Sequence, residues 1–475
     1  MLILRAATAA GRTSFCTNFL PRSLPARRGL LTLAIETSCD DTSVAIVSKP
    51  NSGPSKIHFL ENITSNSTAY QGIHPILALE SHQENLATLV NKALTHLPPA
   101  ERQPEPDSEP KCEIQKIIPL PDGNRRKPDF ISVTRGPGMR ANLFVGLDTA
   151  KALSVAWQIP FIGVHHMQAH LLTPRLVSAT STLSNDTQLE PAPAFPFLSI
   201  LASGGHTLLV NSTSLTSHSI LATTADIALG ESLDKVAREI LPPSLLATSK
   251  NTMYGKILEQ FAFPNGAADY ADYTTPRTRG EEIARAKRES AYGWSITTPF
   301  AETRQLAFSF AFLATAVNSI IAGRHRQSQS TEIGEEERRV LAREVMRVCF
   351  EHLASRTVIA LESLSSQGAD GSKIKHNNNK HNPQKHTQKQ HPPVKTLVVS
   401  GGVAANKYLM HILRSFLDAR GFGAVEIIAP PPKLCTDNAA MIGWAGIEMF
   451  EAGFRSELSI RALRKWSLEG GGEEF

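Results

Sequence analysis

The sequence predicts a duplicated α/β nucleotide-binding architecture, and three observations carry that prediction. Residues 31–47 (LTLAIETSCDDTSVAIV) and 197–210 (FLSILASGGHTLLV) share one pattern: an apolar arm, a turn of small polar residues, a second apolar arm. Each reads as strand, turn, strand, and each opens about half of an α/β region. Residues 396–406 (TLVVSGGVAAN) then give a buried strand that ends in another small-residue turn. At 475 residues the chain has room for two or three domains. A hydrophobic content of 41% and a mean hydropathy of −0.15 describe an ordinary globular protein. No apolar run is long enough to span a bilayer, so no membrane span is expected.

Residues 1–35 hold five arginines (Arg5, Arg12, Arg22, Arg27, Arg28) and no Asp, Glu or Lys. That is the composition of a mitochondrial transit peptide; a disordered basic tail is the alternative. The expected division is a leader over 1–30, an α/β subdomain over 31–165, a second over 166–450, and a tail over 451–475. Five scattered cysteines (Cys16, Cys39, Cys112, Cys349, Cys435) without CxxC pairs point to a reducing compartment and no disulfide framework. Taking the five leader arginines and the six lysines of 373–395 from the net charge of +5 leaves the rest at −6. Contacts to a nucleic acid must therefore use local patches.

The first turn, from Glu36 to Ser43, offers hydroxyls and backbone N–H groups to a phosphate, and carboxylates to a metal or water. It is equally an acidic hairpin turn. Residues 79–97 place Leu86, Leu89, Val90, Ala93, Leu94 and Leu97 on one helical face, which is core. Residues 98–128 are rich in Pro and charge and read as a surface loop. A strand over 129–134 runs into Arg135-Gly136-Pro137-Gly138-Met139 and then a helix through Trp157. That glycine turn fits an anion site at a helix start or a tight βα connection.

A strand over 160–164 is followed by IGVHHMQAHLL, which opens a helix. His166 and His170 are four apart, so both imidazoles leave one face a single turn apart, as ligands to one metal must. A third ligand must come from elsewhere. Met167 occupies the place of the Glu in an HExxH peptidase site, which disfavours that chemistry.

Residues 177–194 form a Ser/Thr-rich insertion, and Ser203-Gly204-Gly205 lets backbone approach a ligand closely. Residues 226–240 give a glycine turn and a helix bearing Asp234. Helical patterns resume at 306–321 and 336–363. Residues 366–395, with His376, His381, His386 and His391 five apart among Lys, Asn and Gln, read as a disordered insertion. A helix follows over 407–420, then a strand over 426–429. Cys435-Thr436-Asp437-Asn438 caps a last helix. Asp437 is a favoured cap type and also the best-placed carboxylate to complete the histidine pair.

Seven motifs (ETSCDDTSVAIV, RGPGM, HHMQAH, SGGHT, GESLDK, SGGVAAN and CTDNAAMIGWAG) stand in one order over about residues 30–450. In that order they resemble the tRNA threonylcarbamoyl-adenosine synthesis enzymes, bacterial, archaeal and mitochondrial. The resemblance implies the actin/sugar-kinase/heat-shock ATPase fold, two α/β subdomains with a nucleotide cleft between them. It implies transfer of a threonylcarbamoyl group from threonylcarbamoyl-adenylate onto N6 of the adenosine beside the anticodon, in mitochondrial tRNAs that read codons starting with adenosine. His166, His170 and Asp437 would then be ligands of one divalent metal, with zinc, iron and manganese all compatible. Leu201, Ala202, Ser203, Gly204, Gly205, Asp234, Gly255, Glu259, Ala405, Asn406 and Thr436 would form the nucleotide and donor site, and Asp40 is the candidate general base. A separate synthase would make the donor, the chain would act as a homodimer, and its place would be the mitochondrial matrix.

The chain departs from the family's usual pattern at residues 72–82, at Gln168-Ala169 (usually Glu-Gly, so that a carboxylate is lost), and at 309–315. A sugar-kinase-like ATPase and a metallopeptidase-type hydrolase are the rival readings.

Overall fold

Leu31, Leu33 and Ile35 alternate with Thr32 and Ala34, and this period of two gives the first strand, β1 (Leu30–Glu36), two different faces. β2 (Asp41–Lys49) returns antiparallel with Ile35 opposite Val44, and β3 (Lys56–Thr64) returns again on β2. Next come helix α1 (Pro75–Thr95) and a separate hairpin of β4 (Ile117–Leu120) and β5 (Gly123–Arg126). Strand β6 (Phe130–Gly136), helix α2 (Arg140–Trp157) and strand β7 (Phe161–His165) complete the first half. Its sheet runs β3-β2-β1-β6-β7, with β6 parallel to β1 and β7 parallel to β6. The computed structural model describes residues 29–67, 70, 73–100, 117–181, 190–248, 254–327, 333–369 and 392–469. Most of the expected leader, through residue 28, lies outside the described residues. So do 182–189 and 370–391 of the two expected insertions.

Helix α3 (His166–Thr180) leads into the second half, where β8 (Phe197–Ala202), β9 (Thr207–Ser212) and β10 (His218–Thr223) form another antiparallel trio. Helices α4 (Leu229–Ile240), α5 (Pro243–Leu246), α6 (Gly255–Ala262), α7 (Arg279–Arg285), α8 (Phe312–Gln327) and α9 (Glu335–Ala369) follow. The half closes with β11 (Thr396–Ser400), α10 (Lys407–Ala419), β12 (Glu426–Ile428), α11 (Pro432–Cys435) and α12 (Ala439–Glu451). Its sheet runs β10-β9-β8-β11-β12, with β11 parallel to β8 and β12 to β11. The two sheets repeat one topology, which is the duplication the two sequence repeats predict.

Several segments differ from the sequence-based expectation. The loop expected over 98–128 contains the β4–β5 hairpin, closed by a Pro121-Asp122 turn, after which Gly123 opens β5 at φ 128°. The helix expected from 306 starts at Phe312, because Asp226 holds 309–311 in a non-helical turn. Its carboxylate accepts Ser309 Oγ (2.6 Å), Phe310 N (2.9 Å) and Ala311 N (3.2 Å). Helix α3 runs on through Thr180, into the start of the expected insertion.

Two helices set the position of the site. The face of the first sheet that carries Leu31, Leu33 and Ile35 is covered by α1 and α2. The opposite face is small (Thr32, Ala34, Ala45, Ser132) and takes α12, the last helix of the second half. A Cβ at Gly446 would lie 2.0 Å from Ser132 Oγ, and one at Gly443 2.9 Å from Val47 Cγ2, so glycine lets α12 seat this deeply. Helix α3 is buried from His166 through Leu176 and touches both sheets as well as α12. A helix buried all round belongs to a core between layers. Arg175 on α3 and Glu448 on α12, 7% and 8% exposed, pair at 2.8 Å, and Arg175 also donates to Pro191 O (2.7 Å) and Pro193 O (2.6 Å). Breaking a buried pair strands one charge, so Arg175→Leu should cost about 3–5 kcal/mol of stability in urea denaturation. Adding Glu448→Leu should recover part of that loss; no recovery would mean that the pair does not set the α3–α12 contact.

Candidate metal centre

His165 ends β7 and is the N-cap of α3. Its Nδ1 accepts from Met167 N (3.1 Å) and Gln168 N (3.4 Å), so the ring proton sits on Nε2, 3.3 Å from Trp466 O. Burial pushes its pKa down to about 3, which keeps it neutral. Both of its nitrogens are committed to backbone, and this removes it from the ligand set. The next residue, His166, opens the helix, and His170 follows one turn later on the same face. Their rings meet edge to face with centroids 4.8 Å apart.

Asp437 comes to these two imidazoles from the short segment between α11 and α12. Its Oδ1 is 3.0 Å from His170 Nε2 and 3.5 Å from His166 Nε2. The helix cap is the neighbouring Asn438, whose Oδ1 accepts Met441 N (3.1 Å). The capping task is thus taken by Asn438, and the Asp437 carboxylate is left to the histidines. Asn62 on β3 donates from Nδ2 to Asp437 O (2.9 Å), and Ser43 on β2 accepts Ala439 N (2.9 Å) and donates to Asn62 Oδ1 (2.5 Å). The first sheet therefore holds the backbone that follows the Asp437 side chain at two points.

Glu36, at the end of β1 and fully buried, approaches His166 from the opposite side, with Oε2 3.2 Å from Nδ1. A carboxylate can only accept, so Nδ1 carries the proton and Nε2 faces Asp437. Ser38 N (2.5 Å) and Thr134 Oγ1 also donate to Glu36, and Ser38 Oγ lies 3.2 Å from His166 Nδ1. Burial alone would lower His166, but the charges of Asp437 and Glu36 overcome it and hold its pKa well above the ordinary value. The same charge on His166 overcomes desolvation at Asp437, held well below the usual carboxylate range, and at Glu36, also lowered.

One donor atom each from His166, His170 and Asp437 lies within 4.8 Å of the others, the one such group among the described residues. Two imidazole nitrogens and a carboxylate oxygen fit a divalent first-row ion. Bonds of about 2.1 Å in tetrahedral or octahedral geometry separate ligand atoms by roughly 3.0–3.4 Å. The 3.0 and 3.5 Å separations match that spacing. An ion must displace the proton held on His166, so metal affinity falls with falling pH.

The other sequence-derived positions line the ends of the second sheet. Leu201 and Ala202 are buried at the end of β8, and Ser203 Oγ accepts Gly205 N (3.3 Å) and His206 N (3.0 Å). Gly204 and Gly205 are exposed, and a Cβ at either would meet nothing within 4 Å, so the turn faces open space. His206 is surface-exposed; desolvation by surrounding protein lowers its pKa, the charges of His166 and His170 lower it further and that of Asp437 opposes them, so this turn is within electrostatic reach of the triad. Asp234 on α4 accepts Tyr254 N (2.6 Å) and Gly255 N (3.1 Å) at the start of α6. Glu259 accepts Lys407 N (2.7 Å) at the start of α10, which Asn406 caps through Leu409 N (3.0 Å). Ala405 ends a turn of 3-10 helix before that cap, and Thr436 is exposed beside Asp437.

Asp40 is half-buried on the β1–β2 turn. Burial, aided by the charges of Asp40, Asp437 and Glu36, raises Asp41 to about 6. Gln168 donates from Nε2 to Leu215 O (2.7 Å), so its side chain is committed to the β9–β10 connection. The contact of Glu36 with His166 was invisible in the sequence, although Glu36 itself stands in the acidic turn singled out there.

The tRNA N6-adenosine threonylcarbamoyltransferase family matches residues 120–444. The chain is 34% identical over 450 residues to the mitochondrial tRNA N6-adenosine threonylcarbamoyltransferase of Schizosaccharomyces pombe, covering 93% of this chain and 87% of that protein. It is 32% identical to the tRNA N6-adenosine threonylcarbamoyltransferase of Bartonella bacilliformis, covering 92% and 95% of the two chains. Among solved structures, HypF of T. kodakarensis aligns at 12% identity over 92% of this chain and 50% of its own, with a TM-score of 0.38, too loose a match to bear on the site.

Residues that orient a metal-bound histidine typically change affinity about 10–100-fold when removed. Glu36→Gln should therefore weaken zinc binding by about that factor in a competitive chelator titration, with the fold retained. Unchanged affinity would mean that the Glu36–His166 contact does not orient the ligand.

Proposed function

The chain belongs to the tRNA N6-adenosine threonylcarbamoyltransferase family, and on that premise we propose how its own residues serve the transfer. Its activity is acyl transfer of the threonylcarbamoyl group onto N6 of a tRNA adenosine, on a two-part α/β fold. The family match sets aside the sugar-kinase and peptidase readings.

One observation carries the assignment of the centre: two imidazoles and one carboxylate, from segments 267 residues apart, converge on one point beside an open glycine turn. In our reading His166, His170 and Asp437 hold one divalent ion, zinc, iron or manganese. When bound, the ion supplies Lewis acidity toward phosphate and carbamoyl oxygens of threonylcarbamoyl-adenylate. Glu36 keeps His166 in the tautomer that leaves Nε2 free for coordination. The backbone N–H of Gly204 faces the donor's phosphate; Ser203 N, given to His206 O (2.8 Å), and Gly205 N, given to Ser203 Oγ (3.3 Å), shape the turn around it, with Leu201 and Ala202 behind. Asp234, Gly255, Glu259, Ala405, Asn406 and Thr436 form the wall against the adenylate; Asp234, Gly255, Glu259 and Asn406 also hold it together through the contacts of α4, α6 and α10. The adenosine amine attacks the carbamoyl carbon, the bond to the phosphate oxygen breaks, and AMP leaves with that electron pair. Asp40 takes the proton lost from N6. The adenosine amine is a weak nucleophile, so holding it in line is most of the remaining task.

The arginine-rich, acid-free start of the chain and the mitochondrial relative support action in the mitochondrion, in the matrix. The proposal includes a homodimer, a donor made by a separate synthase, and subdomains divided near residue 165. No helix of the described residues is long and apolar enough to cross a membrane.

His166→Ala or Asp437→Ala should lower both bound metal, by elemental analysis, and single-turnover transfer from pre-made donor, in protein whose circular dichroism is that of wild type. His166→Ala should also lower the thermal transition, because it strands the buried Glu36 carboxylate. Full metal occupancy in both variants would end the ligand assignment. Asp40→Asn should retain metal and lose about 10²–10⁴ in transfer rate, the usual contribution of a general base. A rate within a few-fold of wild type would remove Asp40 from that role.

A further inference from the structure

Beyond α12 the chain turns back across the first half and is pinned there by its backbone. Ser456 N donates to Phe161 O (3.0 Å), and Ser456 Oγ accepts Gly163 N (2.9 Å). Lys151 donates to Ile460 O (2.5 Å), Leu463 N to Arg135 O (2.9 Å), and Gly138 N to Arg464 O (3.2 Å). Ala462 enters the first core, Trp466 lies against the His165 ring at 4.7 Å, and Leu468 packs with Met167 and Leu171. A backbone tied at this many points presents its intervening side chains in fixed places.

Those side chains are cations. Arg461, Arg464 and Lys465 are exposed, and no acidic residue occurs between Ser459 and Ser467. Arg140, the first residue of α2, is exposed beside the same turn, and Arg135 lies over the Trp466 ring at 4.9 Å. Arg140, Arg461, Arg464 and Lys465 enter no ion pair among the described residues. The nearby Glu469 carboxylate is engaged by Ile220 N (2.7 Å). A run of charge is most often just a solvated face, but this one is linked to the metal centre through the 138–139 backbone and Ser38. Gly138, which holds Arg464, packs on Ser38, and Met139 N donates to Ser38 O (2.8 Å). Ser38 Oγ in turn lies 3.2 Å from His166 Nδ1.

We propose that Arg461, Arg464 and Lys465, with Arg140, form the ledge that binds the tRNA phosphate backbone and sets the target adenosine over the metal centre. The proposal rests on the transferase reading above and names the surface by which its polyanionic substrate is held. Outside its leader and its lysine-rich insertion the chain is net acidic, so attraction for RNA has to come from such a local patch. Phosphate contacts of this kind fix register and orientation without reading sequence. Anchoring them on a rigid backbone ties that register to His166.

The test is steady-state transfer by the full chain, metal-loaded, with pre-made donor and tRNA varied at several salt concentrations. The triple variant Arg461→Glu/Arg464→Glu/Lys465→Glu should raise KM for tRNA by tenfold or more and leave kcat at saturating tRNA within about twofold. A neutral triple variant to Gln should give a smaller rise in KM, and it keeps the test open if charge reversal harms folding. Losing three phosphate contacts should also flatten the logarithmic salt dependence of binding by about two to three. Metal content should not change. The proposal is overturned if active wild type and both variants share one KM and one salt slope, or if kcat alone falls. A wild-type protein that transfers nothing to any tRNA would instead overturn the transferase reading beneath it.

Discussion

Burying one imidazole between two carboxylates desolvates three ionisable groups, a cost of several kcal/mol per ion that geometry has to offset. At His166 the offset comes from both sides: Glu36 at 3.2 Å on Nδ1 and Asp437 at 3.5 Å on Nε2. The first carboxylate ends the first strand, and the second precedes the last helix. Assembling this centre therefore requires the two ends of the folded region to meet. Helix α12 makes that possible by entering the first sheet's small face, with Gly443 and Gly446 at the closest points. The Arg175–Glu448 pair then fixes α12 against the helix that carries both histidines. These features act together, since a shift of α12 moves Asp437 relative to α3.

The centre divides into a rigid side and an open one. On the rigid side Ser38 and Thr134 hold Glu36, Asn62 holds the Asp437 backbone, and Trp466 holds His165, the residue before the first of the two facing imidazoles. Such support aims a ligand and narrows its choice of proton position. On the open side Gly204 and Gly205 carry no side chain toward the space beside the triad. A large donor can approach the turn's backbone, the Gly204 N–H included, without displacing packed atoms. The strand duplication places both sides at one edge, because β1 and β8 begin the two repeats and each ends in a turn at the cleft.

Much of this arrangement was legible in the sequence because it depends on local pattern. Alternating apolar residues gave β1, β2, β8 and β9, and the four-residue spacing of His166 and His170 gave their common face. Four features were not legible, each for a physical reason. The strand β3 lies in a segment with a mixed exposure pattern, yet it supplies Asn62, which holds Asp437. The assignment of the cap to Asn438 depends on backbone angles within a run of three polar residues, all of them able to cap. Asp226 overrides a helical pattern at 309–311 through three contacts from 80 or more residues away. The contact of Glu36 with His166 spans 130 residues and leaves no local periodic trace. The loss of a carboxylate at Gln168 also reads differently once folded, since that side chain is spent on Leu215 O.

In the proposed centre two imidazoles and one carboxylate, oriented by a buried glutamate, hold the metal of this chain. X-ray absorption of the zinc-loaded protein tests it most directly, because the technique reports the ligand atoms themselves. The expected spectrum has nitrogen and oxygen ligands at about 2.0–2.2 Å, with the multiple-scattering signature of two imidazoles and no sulfur. A sulfur ligand at about 2.3 Å, from Cys39 or Cys435 in this region, or a shell with fewer than two imidazoles, would contradict it.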